Sequence, residues 1–425
     1  MRRFWLALVT AGALLVCPTV AAASEGNYVV VYKHSVAAPS TTTGRFEHHF
    51  GFASTLHYSR AIKGFAAHLT DAERHALAAE TDVAFIQPDI TFTAAGLVPL
   101  ATGETEPVGI RRIGAATTSQ VHAPSSAGVA VLDTGIDLAN ADLNAARGTN
   151  CVRPGTSPQD DNGHGTNVAG IIAAKDQGAG VVGVAPATKL YSVKVLGKTG
   201  SGTLSQILCG IDWVTANSGQ LGIKVVNMSL AGSGINDGNC GHSNNDAEHQ
   251  AICTSIAAGV TYVAAAGNNG AGLAKYVPAA YPEVLTVTAM TDTDGGPGHL
   301  GRASCVRGET DDSYGTYSNY AVSSIDKGHT IAAPGTCVTA DKLGGGTSTY
   351  YGTSQAAPHV AGAVALCLDD GGVPGPCAGL TPSQIISKTL GDAAGAATTT
   401  SGFTGDPLHP VSSRYYGYLL DASAY

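Results

Sequence analysis

The chain has 425 residues and a formal net charge of −9 without any basic run, so binding to nucleic acid or to an anionic membrane surface has no electrostatic support. Charged residues make up only 13% and glycine supplies 55 positions, against about 25% charged in an average globular domain. That balance fits a large, compact, loop-rich protein.

The first residues read Met-Arg-Arg, then an apolar stretch from Leu6 to Val16, then Ala21, Ala22 and Ala23 before Ser24. This predicts a signal peptide over 1–23; the apolar stretch is well short of the ~20 residues a membrane helix needs. A secreted, extracellular chain is expected, with no membrane anchor. Cys17 would leave with the signal, and Cys151, Cys209, Cys240, Cys253, Cys305, Cys337, Cys367 and Cys377 remain. An even set in an exported chain predicts up to four disulfides. Cys240 with Cys253 and Cys367 with Cys377 would close short loops; spacing alone leaves the full connectivity open.

A small α+β unit comes next. Tyr28 to Tyr32 and Gly64 to Leu69 read as strands. Thr70 reads as an N-cap, with Glu73 completing a capping box for a helix to about Ala79. A short strand from Val83 to Ile86 stops before Pro88, and a polar stretch runs from Thr93 to Glu106. From Gly128 on, apolar segments alternate between strand and helix: Val129–Leu132, Val168–Ala174, Lys189–Val195, Leu204–Thr215, Val225–Met228, Ala251–Ala258, Val260–Ala266 and Val284–Thr288. That alternation predicts a doubly wound, mostly parallel sheet with helices on both faces. Ligands of such sheets sit at the carboxyl ends of strands, where Asp133 and the Gly267-Asn268 turn fall. A helix start at Thr381 and a closing segment Tyr416–Ala422 end the chain, with no internal repeat.

Three segments carry chemistry: Val-Ala-Val-Leu-Asp-Thr-Gly at 129–135, Asn-Gly-His-Gly-Thr at 162–166 and Gly-Thr-Ser-Gln-Ala-Ala-Pro-His at 352–359. A serine hydroxyl is a poor nucleophile at neutral pH, so it needs a base, and the base needs a group that fixes its tautomer. Ser354, His164 and Asp133 fit those roles. Gly163 and Gly165 let the backbone approach closely where a helix begins. Pro358 is expected in a first helical turn, which would put the Ser354 N–H at a helix N-terminus, favourable for an oxyanion.

In that order the three segments resemble the subtilase family of serine proteases. The resemblance extends to an inhibitor-type propeptide, on Lys63-Gly64-Phe65-Ala66-Ala67 and Gln87-Pro88-Asp89, and to the closing segment. It implies a self-processing zymogen: propeptide over 24–102, ferredoxin-like, cut between about 94 and 103, and a peptidase domain over 103–425. It implies an endopeptidase acting on protein or peptide substrates, with its own propeptide as intramolecular inhibitor; a monomer is expected. In Ala264-Ala265-Ala266-Gly267-Asn268 it makes Asn268 the second oxyanion donor, although Asn-Asn-Gly by itself reads as an ordinary turn. Gly200, Ser201 and Gly202 resemble the edge strand that pairs with extended substrate. Ser229, Leu230, Ala231 and Gly232, with Ala265 and Gly267, resemble the walls of the primary pocket. No carboxylate lies among these, so broad cleavage after apolar or aromatic residues is expected.

Lys175 to Val181 is similar to the family's calcium loop. The resemblance assigns Ca²⁺ to carbonyls of Lys175, Ala179 and Val181, the Gln177 amide, Asp142 and Glu104; calcium takes six to eight oxygens. The chain departs from the family pattern in three places besides Gln177: Asn167 replaces a second histidine, Gln355 stands where many members carry Met, and Gly234 to Gln250 reads as an insertion beside the pocket. Two other classes fit less well. An esterase of the α/β-hydrolase type needs Gly-x-Ser-x-Gly and the order Ser, Asp, His, and an inactive binding protein would show a broken triad. Six histidines, His34, His48, His49, His57, His68 and His75, fall in the propeptide, where scattered surface positions are expected ahead of a pH sensor.

Overall fold

A computed structural model describes residues 25–94, 107–115, 122–177, 180–302 and 304–425. The segment 1–23 expected to be a signal peptide, with its Cys17, and Glu104, Ala179 and most of the stretch expected to be cut lie outside these residues.

The first unit has strands β1 (Glu25–Tyr32), β2 (Ser54–Tyr58), β3 (Gly64–Thr70) and β4 (Val83–Pro88) and helices α1 (Pro39–Phe50) and α2 (Asp71–Ala78). They form an antiparallel sheet in the order β2-β3-β1-β4. Thr70 caps α2 through the expected box with Glu73. Sequence reading missed α1 and β2. The Pro-Ser-Thr-Thr-Thr-Gly start of α1 has poor helix propensity; buried Thr43 and Phe46 hold it against a small core with Tyr32 and Phe65.

Strand β5 (Thr91–Ala94) leaves this unit and reaches the larger one. There the chain runs α3 (Val108–Arg112), β6 (Gly128–Asp133), β7 (Ala145–Asn150), α4 (His164–Ala173), β8 (Leu190–Lys194), β9 (Ser201–Thr203) and α5 (Leu204–Leu221). It continues through β10 (Ile223–Met228), β11 (Leu230–Ser233), α6 (Ala247–Ala257), β12 (Thr261–Ala265), β13 (Tyr276–Val277), β14 (Leu285–Thr291) and β15 (Ser313–Tyr314). The last elements are α7 (Ser324–Lys327), β16 (Thr330–Thr336), β17 (Val338–Asp341), β18 (Thr347–Tyr350), α8 (Thr353–Leu368) and α9 (Pro382–Ala396). Seven strands lie parallel in the order β7-β8-β6-β10-β12-β14-β16, and short β15 adds antiparallel to β14. From β6 the chain crosses to the edge strand β7, returns to β8, and then passes β6 to run outward through β10, β12, β14 and β16, which puts the switch point between β6 and β10.

Alternating strand residues feed two cores. Val129, Val131, Val225 and Val263 pack with α4 and α8 residues such as Val168, Ile172 and Val360. Ala130, Leu132, Val226 and Tyr262 pack with α5 and α6 residues such as Ile207, Leu208 and Ile252 on the opposite face. Both faces are buried, which is why these strands read as continuous apolar runs. Val29, Val31, Tyr58 and Ile62 of the first unit join the second core. All eight described cysteines pair: Cys240–Cys253 and Cys367–Cys377 as expected, with Cys151–Cys209 and Cys305–Cys337.

Candidate active site

Asp133 ends β6 and His164 opens α4, so the sheet's carboxyl edge and a helix N-terminus meet. His164 Nδ1 lies 2.6 Å from Asp133 Oδ1, and both side chains are fully buried. Gly165 makes this approach possible: a Cβ there would lie 2.1 Å from the Gly135 carbonyl oxygen and 3.1 Å from Asp133 Cβ. The α4 terminus is held by a residue that sequence reading passed over. Asp160 Oδ1 accepts from Thr134 Oγ1, Asn162 N and Gly163 N, while its Oδ2 accepts from Thr166 N and Oγ1. Its only sequence signal is an acidic residue just ahead of a helix start.

Ser354 stands at the second position of α8, behind Gly352 as N-cap. Pro358 is not in the first turn as expected. It is the sixth residue of an unbroken sixteen-residue helix. The helix bond that proline cannot donate is the one to the Ser354 carbonyl, and that carbonyl accepts from Ser229 Oγ at 2.8 Å instead. The N-termini of α4 and α8 touch through the two departures noted above: Gln355 Nε2 donates to Asn167 Oδ1 at 3.4 Å, and both are fully buried. His164 Nε2 is buried with no hydrogen bond among the described residues.

Asn268 Oδ1 accepts from Thr353 N at 2.8 Å and Thr353 Oγ1 at 2.9 Å. These donors, on the residue next to Ser354 in the chain, fix the amide orientation and leave Asn268 Nδ2 buried without a partner among the described residues. A buried orphan donor costs free energy unless something accepts from it. Asn319, also missed from sequence, holds the turn: its Nδ2 donates to Ala266 O, and its Oδ1 accepts from Asn269 N and Ala271 N.

Of the residues expected to line a substrate groove, Ser201, Gly202, Leu230 and Ala231 border β5. That strand lies between β9 and β11, antiparallel to both, with Phe92 opposite Gly202, Thr93 opposite Ser201 and Ala231, and Ala94 opposite Leu230. Gly200 closes the turn ahead of β9 through its N–H to Gly197 O. Gly232 pairs with Val277 of β13 instead of β5. Ser229 touches Ser354, Ala265 ends β12 in the core, and Gly267 N donates to Thr353 Oγ1 at 3.0 Å. The small unit is also clamped along α5. Asp89 accepts from Ser205 N and Oγ at the helix start, and Asp212 accepts backbone N–H groups of Ser59, Arg60 and Ala61. The six propeptide histidines are exposed, as the surface reading expected. The insertion folds around Asp237, whose carboxyl, despite burial, is held down to about 2 by the N–H groups of Asn239, Gly241, Ser243 and Asn244. Ala247 N within α6 donates to Gln87 Oε1 of the small unit.

Of the residues expected to hold calcium, the structure gathers Asp142, Lys175, Gln177 and Val181. Lys175 N donates to Asp142 O, and Gln177 Nε2 lies 3.0 Å from Asp142 Oδ1. Asp142 is buried, and burial raises its carboxyl above the ordinary range.

Comparison with known proteins follows this geometry. Residues 125–418 match the model described as "Subtilase family", and residues 27–95 match "Peptidase inhibitor I9". Subtilisin NAT of Bacillus subtilis subsp. natto is 33% identical over 350 residues, 81% of each chain. An alkaline protease of Shouchella clausii is 36% identical over 312 residues, 73% of this chain and 70% of the relative. Among solved structures, a cold adapted subtilisin-like serine proteinase aligns with TM-score 0.56 and 27% identity over 75% of this chain and 99% of its own. Fervidolysin from Fervidobacterium pennivorans aligns with TM-score 0.67 over 95% of this chain and 61% of its own, sharing the fold at 22% identity.

Proposed function

Because the chain belongs to the subtilase family of serine endopeptidases and carries an inhibitor-type propeptide, we propose that Ser354, His164 and Asp133 form its catalytic triad and that it is secreted as a zymogen which processes itself. In this reading Ser354 Oγ attacks the substrate carbonyl while His164 Nε2 takes the hydroxyl proton. Asp133 accepts from His164 Nδ1–H and so keeps Nε2 available as the base. Negative charge develops on the carbonyl oxygen, where the Ser354 N–H and Asn268 Nδ2 donate. His164 then passes the proton to the leaving amine, and the acyl-enzyme that remains is hydrolysed by water in the reverse sequence.

The observation that carries this reading is the unpartnered Asn268 Nδ2 beside Ser354, together with the 2.6 Å contact of His164 and Asp133. The position of β5 between β9 and β11 supports a substrate that binds as an added strand and a propeptide that inhibits by doing the same. Small and apolar walls at Leu230, Ala231, Gly232 and Ala265 support broad cleavage after apolar or aromatic residues; a library profile dominated by Arg or Lys at that position would overturn this. Asp142, with the loop from Lys175 to Val181, is the proposed Ca²⁺ site. The fit rests on Gly180, where a Cβ would lie 2.8 Å from Asp142 Oδ2, and on carboxylate and carbonyl oxygens suited to a hard cation; Gln177 would have to turn its amide to present Oε1 in place of the Nε2 that faces Asp142. Bound there, the ion would tie the loop to Asp142.

The test is intact mass after treatment with a serine-directed sulfonyl fluoride, with Ser354→Ala as control. One adduct on a shortened chain, absent from a control that stays full length, is expected. In subtilisin, the reference case, removing the serine costs about 2 × 10⁶ in kcat. A folded, shortened chain that takes no adduct would overturn the triad.

A further inference from the structure

The calcium reading implies one acidic side chain among the described residues, Asp142. The structure brings a second, on a strand that no sequence pattern connects to the loop. Asp341 ends β17, its carboxyl group makes a side-chain contact with Asp142, and it is 3% exposed. Its side chain also meets that of Asn140, yet neither Asp341 Oδ2 nor Asn140 Nδ2, both buried, completes a well-formed hydrogen bond among the described residues. Neither carboxylate is ion-paired among the described residues, and Lys175, whose charge reaches Asp142, spends its ammonium group on the Ala141 carbonyl.

Two buried carboxylates in contact cannot both stay ionised without a cation between or beside them; where no cation is bound, a shared proton must take its place. The strand is not there by accident of a loose loop. β17 pairs with β18 through Asp341 and Thr347, and α4 carries Gly170 where a Cβ would lie 2.7 Å from Asp341 N and 2.9 Å from Asp341 Cβ. The α4 helix, which runs on into the metal loop, therefore docks flush against Asp341.

We propose that Asp341 is a ligand of the calcium ion, giving the site two carboxylates from separate segments, Asp142 and Asp341. This rests on the calcium reading above and goes beyond it. Two carboxylates match the charge of the divalent ion, and the loop's carbonyl and amide oxygens complete a hard-donor set. The ion would then fasten three pieces of chain: the segment after β6, the loop after α4, and the β17–β18 hairpin.

The experiment uses the full-length Ser354→Ala protein, stripped with chelator, dialysed and titrated calorimetrically with CaCl₂. Asp341→Asn and Asp142→Asn, in the same background, are each expected to bind at least about tenfold more weakly. Thermal unfolding gives a second readout that a merely structural role would not produce. In chelator, Asp341→Asn should melt higher than the parent because a carboxylate repulsion is gone; in excess calcium it should melt lower because less binding energy is available. Asp341→Thr provides the same pair of measurements if the amide variant misfolds. A parent that binds no calcium overturns the calcium reading itself. A parent that binds, with Asp341 variants of equal affinity and no reversal of melting order, overturns the role of Asp341 and leaves the loop site standing.

Discussion

Ser229 and Ser354 exchange a pair of hydrogen bonds: Ser229 Oγ donates to the Ser354 carbonyl at 2.8 Å, and Ser354 Oγ donates to the Ser229 carbonyl at 3.2 Å. Asn227 Nδ2 in turn donates to Ser229 Oγ at 2.9 Å. The first of these bonds replaces the one that Pro358 cannot make, so Ser229 anchors the backbone of the proposed nucleophile. Ser229→Ala is expected to cost about 1–3 kcal/mol of stability and to lower kcat more than it changes KM. Adding Pro358→Ala restores an N–H for the same carbonyl and should recover part of both losses. No recovery in the double variant would mean the anchor is not the Ser229 hydroxyl.

Asn268→Ala removes the orphaned Nδ2. The expected loss is about 10²–10³ in kcat, or about 2.7–4 kcal/mol, the range established for this kind of donor in subtilisin, with KM little changed. Steady-state kinetics on a short chromogenic peptide decides it; a loss confined to KM would assign Asn268 to substrate binding alone.

The excised propeptide is expected to end at Ala95. In β5, Thr93 faces Ala231 and Ala94 faces Leu230, so the next partner on that wall is Ser229, which touches Ser354 Oγ. If that register continued, cleavage would be expected between Ala95 and Gly96. The mass of the released propeptide reads this directly, whatever later trimming the mature N-terminus undergoes, and a terminus near Gly103 would mean the register is not the one used in processing.

Asp212→Ala is expected to hasten release of the propeptide. Its carboxylate accepts three backbone N–H groups of the Ser59–Ala61 loop, and loss of such charge-assisted bonds weakens the clamp by roughly ten- to a hundredfold. The lag between processing and the appearance of activity should shorten accordingly; an unchanged lag would place the clamp elsewhere, at Asp89 or β5.

His359 ties stability to pH. Burial lowers its pKa from 6.5 to about 4, against the opposing effect of its bond to the Gln355 carbonyl. The folded chain therefore holds a neutral imidazole where the unfolded chain takes up a proton below pH 6.5. Stability is complete above that pH and falls as the pH drops toward 4, by about 3 kcal/mol from this group. In an inactive Ser354→Ala background, melting temperatures at pH 7 and pH 4.5 should differ less in His359→Gln than in the parent; equal differences would rule the group out.

With Gln355 rather than a thioether next to Ser354, activity is expected to survive mild peroxide. Gln355→Met should introduce rapid loss of activity with peroxide, and loss at the same rate in the parent, with disulfides intact, would contradict this.

The sequence by itself determined the alternation of strands and helices, the Asp, His and Ser in their order, the capping box at Thr70 and the propeptide ahead of the enzyme. Each is local: a period, a cap, or a short motif with its own mechanism. What it could not decide were contacts between residues far apart in the chain. Asp160 and Asn319 look like ordinary polar residues until folding brings three backbone donors onto the first and two onto the second. Pro358 appeared confined to a first turn because the donor that relieves it comes from Ser229, 125 residues away from the carbonyl it serves. Asp341 meets Asp142 only because Gly170 lets α4 dock against β17. Local patterns fix elements because they depend on neighbours in sequence; burial and partner choice depend on packing, and that is settled only when the elements come together.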